Sequence, residues 1–319
     1  MSVDLGQHFL HDREVLGDII TVADVRTEDV VLEIGPGKGV LTEELAKKAK
    51  RVIAVELDRG LVAALQKKFK NAKNVTIIHE DILRWWGREG QLPTSSSPAT
   101  IDAPARRLTA LRPRSSSLRD EAVPARSAYA AGAEHRQGSR LKDCGFKVVA
   151  NIPYRITAPI LRMFLEGTPC PSLMVLMVQK EVAERVCAEP GQMSLLSVSV
   201  QYYAKPEIVR IVPRTAFDPP PKVDSAILRI HPLKNRVTKN VSIETKSVMF
   251  EKRFFQLVKL GFSSRRKQLQ NLLASGLHIA NEDAKKALQA VGLDTRIRAQ
   301  ELSIDDWKRL TPHLSSNKH

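Results

Sequence analysis

The chain of 319 residues is 43% hydrophobic, long enough to bury a large domain plus a smaller one, and none of its apolar runs approaches the roughly 18 to 20 residues of a membrane span. Its three cysteines, Cys144, Cys170 and Cys187, show neither CxxC spacing nor a paired histidine motif, and MSVDLGQHFL lacks the basic and apolar parts of a signal peptide; a cytoplasmic protein with reduced thiols and no metal is expected. The net charge of +15 is uneven: residues 1–86 are nearly balanced, whereas residues 145–319 carry 27 Lys and Arg against 15 Asp and Glu, which points to a polyanion and, with no basic amphipathic segment at a terminus, not to a membrane.

Leu5 to Leu10 precedes a predicted amphipathic helix from Asp12 to Val22, with Asp12 as its N-cap and Val15, Leu16, Ile19 and Ile20 on the buried face. Val30 to Ile34 reads as a strand, and Gly35-Pro36-Gly37-Lys38-Gly39 as the turn into a helix that starts near Val40. Alternating glycines let a ligand approach the backbone closely beside the unpaired N–H groups of a helix N-terminus. The next strand, Arg51 to Val55, ends at Glu56, where an acidic side chain grips the ribose hydroxyls of a nucleotide cofactor. A dinucleotide and S-adenosylmethionine both suit such a βαβ unit; the Gly-x-Gly-x-Gly spacing lacks the longer interval of the dinucleotide fingerprint, which favours the methyl donor. A third strand, Val75 to Ile78, leads to Asp81, which either accepts from the adenine amino group of the cofactor or caps a helix from Ile82 to Trp86.

From Gly87 to about Arg140 the sequence is rich in Ser, Pro, Ala and Arg without a sustained period, and a disordered insertion serving as a spacer is expected. The apolar run that follows, FKVVANIPY, reads as a buried parallel strand stopped by Pro153. Asn151, Ile152, Pro153 and Tyr154 therefore sit at a strand's carboxyl end, where open α/β sheets bind ligands. There a tyrosine stacks on a flat base while an amide oxygen accepts from an exocyclic amino group such as N6 of adenine; an ordinary proline turn is the alternative.

A helix from Ala158 to Leu165, a strand from Leu173 to Val178, a helix through Cys187 and a strand from Leu195 to Tyr203 are predicted next. The proline loop from Phe217 to Ser225 precedes a strand from Ala226 to Ile230, and Phe217 either covers the second face of the base or plugs the core. Beyond Lys234 short amphipathic helices are expected at Ser247–Leu260, Ser264–Ala274 and Asn281–Ala290, dividing the chain into a domain of residues 1–233 and a helical domain of residues 234–319. Phe262 to Leu269 offers a serine, Ser263 or Ser264, able to cap the second of these helices, and Arg265, Arg266 and Lys267 in its first turn oppose the helix dipole, which a phosphate partner would explain.

In combination, GQHFL, EIGPGKG, VIAVELD, Asp81, NIPY, FDPPPKVDS and FSSRRKQLQNLL resemble the ribosomal RNA adenine dimethylase family over nearly the whole chain except the insertion. The resemblance implies an α/β fold, a Rossmann-like class I methyltransferase domain followed by a small C-terminal α-helical domain. It implies S-adenosylmethionine contacts at His8, Leu10, Gly35, Glu56, Asp81 and Asn151. The implied reaction is dimethylation of N6 on two adjacent adenosines in the 3′-terminal hairpin loop of small-subunit rRNA, by a monomer acting on the immature small subunit. Asn151 and the Ile152 carbonyl would accept from the amino group, Tyr154 and Phe217 would stack on the base, and Arg265, Arg266 and Lys267 would hold RNA. Position 8 is often Asn in the family, the insertion is longer here, and the basic N-terminal extension is nearly absent. The rival readings are a sister enzyme that methylates large-subunit rRNA and confers macrolide resistance, and a non-catalytic nucleic-acid-binding assembly or transcription factor; the intact Asn151 and Tyr154 favour catalysis.

Overall fold

The computed structural model describes residues 8–89, 145–233 and 246–314. A two-residue strand β1 (Phe9–Leu10) leads into helix α1 (Arg13–Ala23), capped as expected by Asp12, whose carboxylate accepts from the N–H groups of Glu14 and Val15 at 2.9 and 3.2 Å. Alternating units follow: β2 (Val30–Ile34), α2 (Val40–Lys48), β3 (Arg51–Glu56), α3 (Arg59–Lys68), β4 (Val75–His79) and α4 (Ile82–Glu89). The expected insertion contributes Gly87–Glu89 to the end of α4, and the rest of it lies outside the described residues. The chain resumes with β5 (Phe146–Asn151), α5 (Thr157–Glu166), β6 (Leu173–Gln179) and α6 (Lys180–Val186).

After α6 the structure departs from the expected strand. Leu195 to Tyr203 forms instead helix α7 (Leu195–Gln201). Its alternating LLSVSV imitates a strand, but Ser194 and Ser197 build a capping box, each side chain bonding the other's backbone N–H, which starts a helix. The strand comes next, as β7 (Ala204–Val212) at the edge of the sheet, where Pro206 is tolerated because an edge strand has one side without ladder bonds. A two-residue strand β8 (Phe217–Asp218) pairs with β1, and β9 (Ser225–Pro232) closes the domain.

The seven-stranded sheet has the order β4, β3, β2, β5, β6, β9, β7, parallel from β4 through β6 and antiparallel at β9 and β7. Its central strands are mostly apolar because both faces are covered, with Glu33 in β2 and Lys147 in β5 as buried ionisable exceptions. Leu32, Val148 and Met174 face one cluster with Trp86 of α4 and Phe164 of α5, while Val31, Val149 and Val175 face another with Val15 and Ile19 of α1 and Leu45 of α2. The order of strands reverses between β2 and β5, and such a reversal opens a crevice at the carboxyl ends of the strands. The glycine turn after β2 and NIPY after β5 flank it.

Helices α8 (Lys246–Gly261), α9 (Leu269–Leu277), α10 (Asn281–Ala290) and α11 (Ile304–Leu310) form a third cluster around the fully buried Trp307 and Phe254. α8 and α11 meet closely: a Cβ at Gly261 would lie 2.6 Å from the Trp307 ring. Met193 and Val198 from the sheet domain belong to this same cluster, and Tyr203 donates to Glu251 of α8 at 2.7 Å, so α7 is the surface on which the helical part is seated. α9 starts later than expected, at Leu269, with Gln268 at its N-cap, so neither Ser263 nor Ser264 caps it. The Leu269 N–H is taken by the Ile297 carbonyl at 2.9 Å, and this tertiary contact sets where the helix begins.

Candidate active site

The turn after β2 is built from glycines that adopt positive φ, 65° at Gly35 and 58° at Gly37, a region that disfavours other residues. The Phe9 ring lies over it, so that a Cβ at Gly37 would come within 3.1 Å of the ring. Glu56, at the end of β3, is 4% exposed and clamped by backbone N–H groups: Gly37 donates to one oxygen at 3.1 Å, and Leu57 and Asp58 donate to the other at 2.8 and 2.9 Å. A carboxylate has about four lone-pair sites, so acceptor capacity remains for ligand hydroxyls.

One cavity gathers His8, Leu10, Gly35, Glu56, Asn151, Ile152 and Tyr154 from separate segments of the chain, and Glu33 also lines it. Most of the residues predicted for the cofactor and for chemistry thus line a single space. Two do not. Asp81 is absent from the lining, and its carboxylate accepts from the Leu83 N–H at 2.9 Å as the cap of α4. Phe217 is 3% exposed and packs in the core with Ala216 and Ile227, the plug rather than the cover of the base. Pairing of Leu10 with Phe217 turns that ring inward while it straps the N-terminal segment to the sheet domain.

The strap sets the orientation of Asn151. Its Nδ2 donates to the His8 backbone carbonyl at 3.3 Å, a partner that can only accept. The amide nitrogen is thereby committed and Oδ1 remains the free acceptor. His8 is itself fixed: Nδ1 donates to the Pro219 carbonyl at 2.8 Å, and the imidazole stacks on Tyr154 with centroids 6.1 Å apart at 27°. The Tyr154 phenol meets the Ser225 hydroxyl at 2.7 Å, and burial pushes its pKa upward.

The reading of the sequence missed Glu33. The side chain is 1% exposed within an apolar strand, and Oε2 has no hydrogen-bond partner among the described residues. Burial, with the Glu56 charge acting in the same direction, pushes its carboxyl up to about 8. An acid inside VVLEI was the available signal, because a buried carboxyl oxygen left without a partner is costly unless a ligand supplies one.

In the helical part, Arg265, Arg266 and Lys267 are exposed, make no ion pair among the described residues, and occupy the turn before α9 rather than its first helical turn. The bond from Leu269 to Ile297 brings the segment bearing exposed Arg296 and Arg298 alongside, two cations that the sequence did not single out. Arg296 pairs with Asp294 at 3.7 Å, and Arg210 is committed to Glu14 and Asp18, tying β7 to α1.

Comparison with known proteins agrees with this geometry. The profile of the ribosomal RNA adenine dimethylase family matches residues 2–315. Ribosomal RNA small subunit methyltransferase A of Dehalococcoides mccartyi (strain ATCC BAA-2266 / KCTC 15142 / 195) is 40% identical over 306 residues, covering 96% of this chain and 86% of the relative. The protein of the same name from Lactiplantibacillus plantarum is 36% identical over 315 residues, covering 97% and 88%. Among solved structures, the 23S rRNA methyltransferase ErmE superposes with a TM-score of 0.63 at 25% identity, covering 96% of this chain and 99% of the other. A dimethyladenosine transferase from Plasmodium falciparum shares the fold with a TM-score of 0.66 at 23% identity, covering 95% and 96%. With a Rossmann-like α/β sheet, a cavity at its strand reversal and a family profile spanning nearly its full length, the chain belongs to the ribosomal RNA adenine dimethylase family.

Proposed function

We propose that this protein transfers methyl groups from S-adenosylmethionine to N6 of adenosine, twice per base, on two adjacent adenosines in the 3′-terminal hairpin loop of small-subunit rRNA. The observation that carries the reading is the Asn151 amide, anchored through Nδ2 so that Oδ1 is offered beside the Tyr154 ring. The small-subunit substrate is supported by relatives of that name at 33–40% identity.

The cavity suits this cofactor. A Cβ added at Gly35 would fall between the glycine turn and NIPY, 3.8 Å from Pro153 and 3.9 Å from the Asn151 carbonyl, so glycine keeps the gap between the two loops open. Glu56 retains lone pairs for ribose hydroxyls, and the unpartnered Glu33 oxygen suits a donor at the other end of the ligand. Leu10 and His8 line the same cavity, and Asp81, which caps α4 outside that lining, is left out of the proposed cofactor contacts. When bound, S-adenosylmethionine supplies an electrophilic methyl on a cationic sulfur.

The protein's share of the reaction is orientation. The adenine N6 lone pair is delocalised into the ring, and hydrogen bonds from the amino group to Asn151 Oδ1 and the Ile152 carbonyl favour a tetrahedral nitrogen with its lone pair aimed along the line of displacement. Alignment of this kind is worth on the order of 7 to 11 kcal/mol. Tyr154 replaces the stacking that the base loses on leaving its loop, about 1 to 3 kcal/mol. Arg265, Arg266 and Lys267, joined by Arg296 and Arg298, hold RNA phosphates from the helical part, and we place the division of labour at residue 233. The protein acts as a monomer on the immature small subunit in the cytoplasm.

The test is transfer of labelled methyl groups to small subunits lacking the modification, with naked large-subunit RNA in parallel and the product nucleosides identified. Dimethyladenosine in small-subunit rRNA is expected; label confined to large-subunit RNA would overturn the assignment in favour of the sister activity, the one named for the structurally similar ErmE.

A further inference from the structure

We infer that Ser225 is a positioning residue for methyl transfer, acting through its hydroxyl contact with Tyr154 to fix the face on which the base stacks. The inference rests on the reading of Tyr154 as the stacking side chain. The two hydroxyls lie 2.7 Å apart, but they belong to elements of different rigidity. Ser225 is fully buried and its backbone stands inside two antiparallel ladders, opposite Gln179 on β6 and Val212 on β7. The residue before it is also held: the Asp224 carbonyl accepts from the Lys180 N–H and its carboxylate from the Arg214 N–H, both at 3.0 Å.

Tyr154 stands outside any ladder and is held at its backbone, where its carbonyl accepts from Thr157 Oγ1 at 3.1 Å. It opens a three-residue helical turn immediately after Pro153, at the edge of the cavity, and no strand flanks it. A tyrosine anchored only at its backbone can swing about χ1 and χ2. Bonding the phenol oxygen to a hydroxyl in the sheet gives the ring a second fixed point at the far end of its long axis. The ring face then keeps its angle to Asn151, three residues earlier at the end of β5. A phenol is protonated near neutral pH, and burial, which raises its pKa, acts in the same direction, so the hydroxyl is able to donate to Ser225. His8 stacks on the same tyrosine, which limits tilt but leaves rotation within the stacking plane to be stopped by Ser225.

The test is a double-mutant cycle of Ser225→Ala and Tyr154→Phe in steady-state methyl transfer to unmodified small subunits, with S-adenosylmethionine affinity measured separately. Ser225→Ala is expected to lower kcat about fivefold, the worth of one neutral hydrogen bond, with cofactor affinity unchanged. The double variant is expected to match Tyr154→Phe alone, since the serine would have nothing left to hold. Wild-type kcat in Ser225→Ala, or a decrease that persists undiminished when Tyr154 is already Phe, would overturn the inference. If Ser225→Ala does not fold, Tyr154→Phe reads the same bond from the cavity side: a similar decrease supports the role and wild-type kcat refutes it. An inactive wild-type protein would instead overturn the functional reading itself, and this inference with it.

Discussion

Replacing Glu33 with Gln should make the cofactor-free protein more stable at alkaline pH and leave it nearly unchanged in acid. The free carboxyl titrates near 4.5, whereas burial holds it at about 8 in the fold. Between those values the native protein keeps a proton that the unfolded chain has released, so stability falls as pH rises: the contribution is fully present below 4.5 and gone by the time pH passes 8. At about 1.4 kcal/mol per pH unit, the gap corresponds to roughly 5 kcal/mol at pH 9, a large fraction of the 5 to 15 kcal/mol that holds a typical domain together. Glutamine keeps the shape of the side chain and cannot ionise, which removes the dependence. Urea unfolding of both proteins at pH 5, 7 and 9 would check it. The two should agree within about 1 kcal/mol at pH 5 and diverge, with the variant ahead, at pH 9. A difference of the same size at all three pH values would refute the argument, because it would arise from packing and not from a proton.

Glu56→Ala should weaken S-adenosylmethionine binding by about 1.5 to 3 kcal/mol, the usual worth of a charged acceptor, and calorimetry showing wild-type affinity in a folded variant would remove it from the site. Asn151→Ala should abolish turnover while RNA binding, followed by filter retention, stays normal; near-normal turnover would sink the proposed alignment. Changing Arg265, Arg266 and Lys267 together to Ala should flatten the salt dependence of RNA binding, by about 0.7 in slope for each phosphate that is no longer neutralised, with cofactor affinity unaltered. An unchanged slope would move the docking surface elsewhere. Replacing the segment between Glu89 and Gly145 by a short Gly/Ser linker should leave methylation largely intact, and a fall in Tm would show that it contributes to the fold.

The parallel half of the sheet was legible because strands buried on both faces are written as predominantly apolar runs, and Gly35, Glu56 and Asn151 fell at the carboxyl ends that such runs define. What stayed hidden depended on partners distant in the chain or on reciprocal bonds that periodicity does not show. LLSVSV alternates like a strand, and only the mutual capping of Ser194 and Ser197 makes it α7. Phe217 sits in a loop motif that suits either a base or a core, and the pairing of Leu10 with it decides for the core. Glu33 passed as one residue of the Val30 to Ile34 strand, and only the unpartnered Oε2 together with a place in the cavity lining marks it.

The bond that orients Asn151 comes from the main chain of residue 8 and not from its side chain. A bond of this kind is blind to residue identity, so position 8 is free to vary as long as the segment keeps its path along β8. Here the imidazole serves as a separate tether to Pro219, while the carbonyl that faces Asn151 belongs to the main chain whichever residue stands at position 8. Substitutions at residue 8 should therefore be far milder than deletions that shorten the segment, because a one-residue slip would carry the carbonyl away from the amide while leaving every catalytic side chain in the protein.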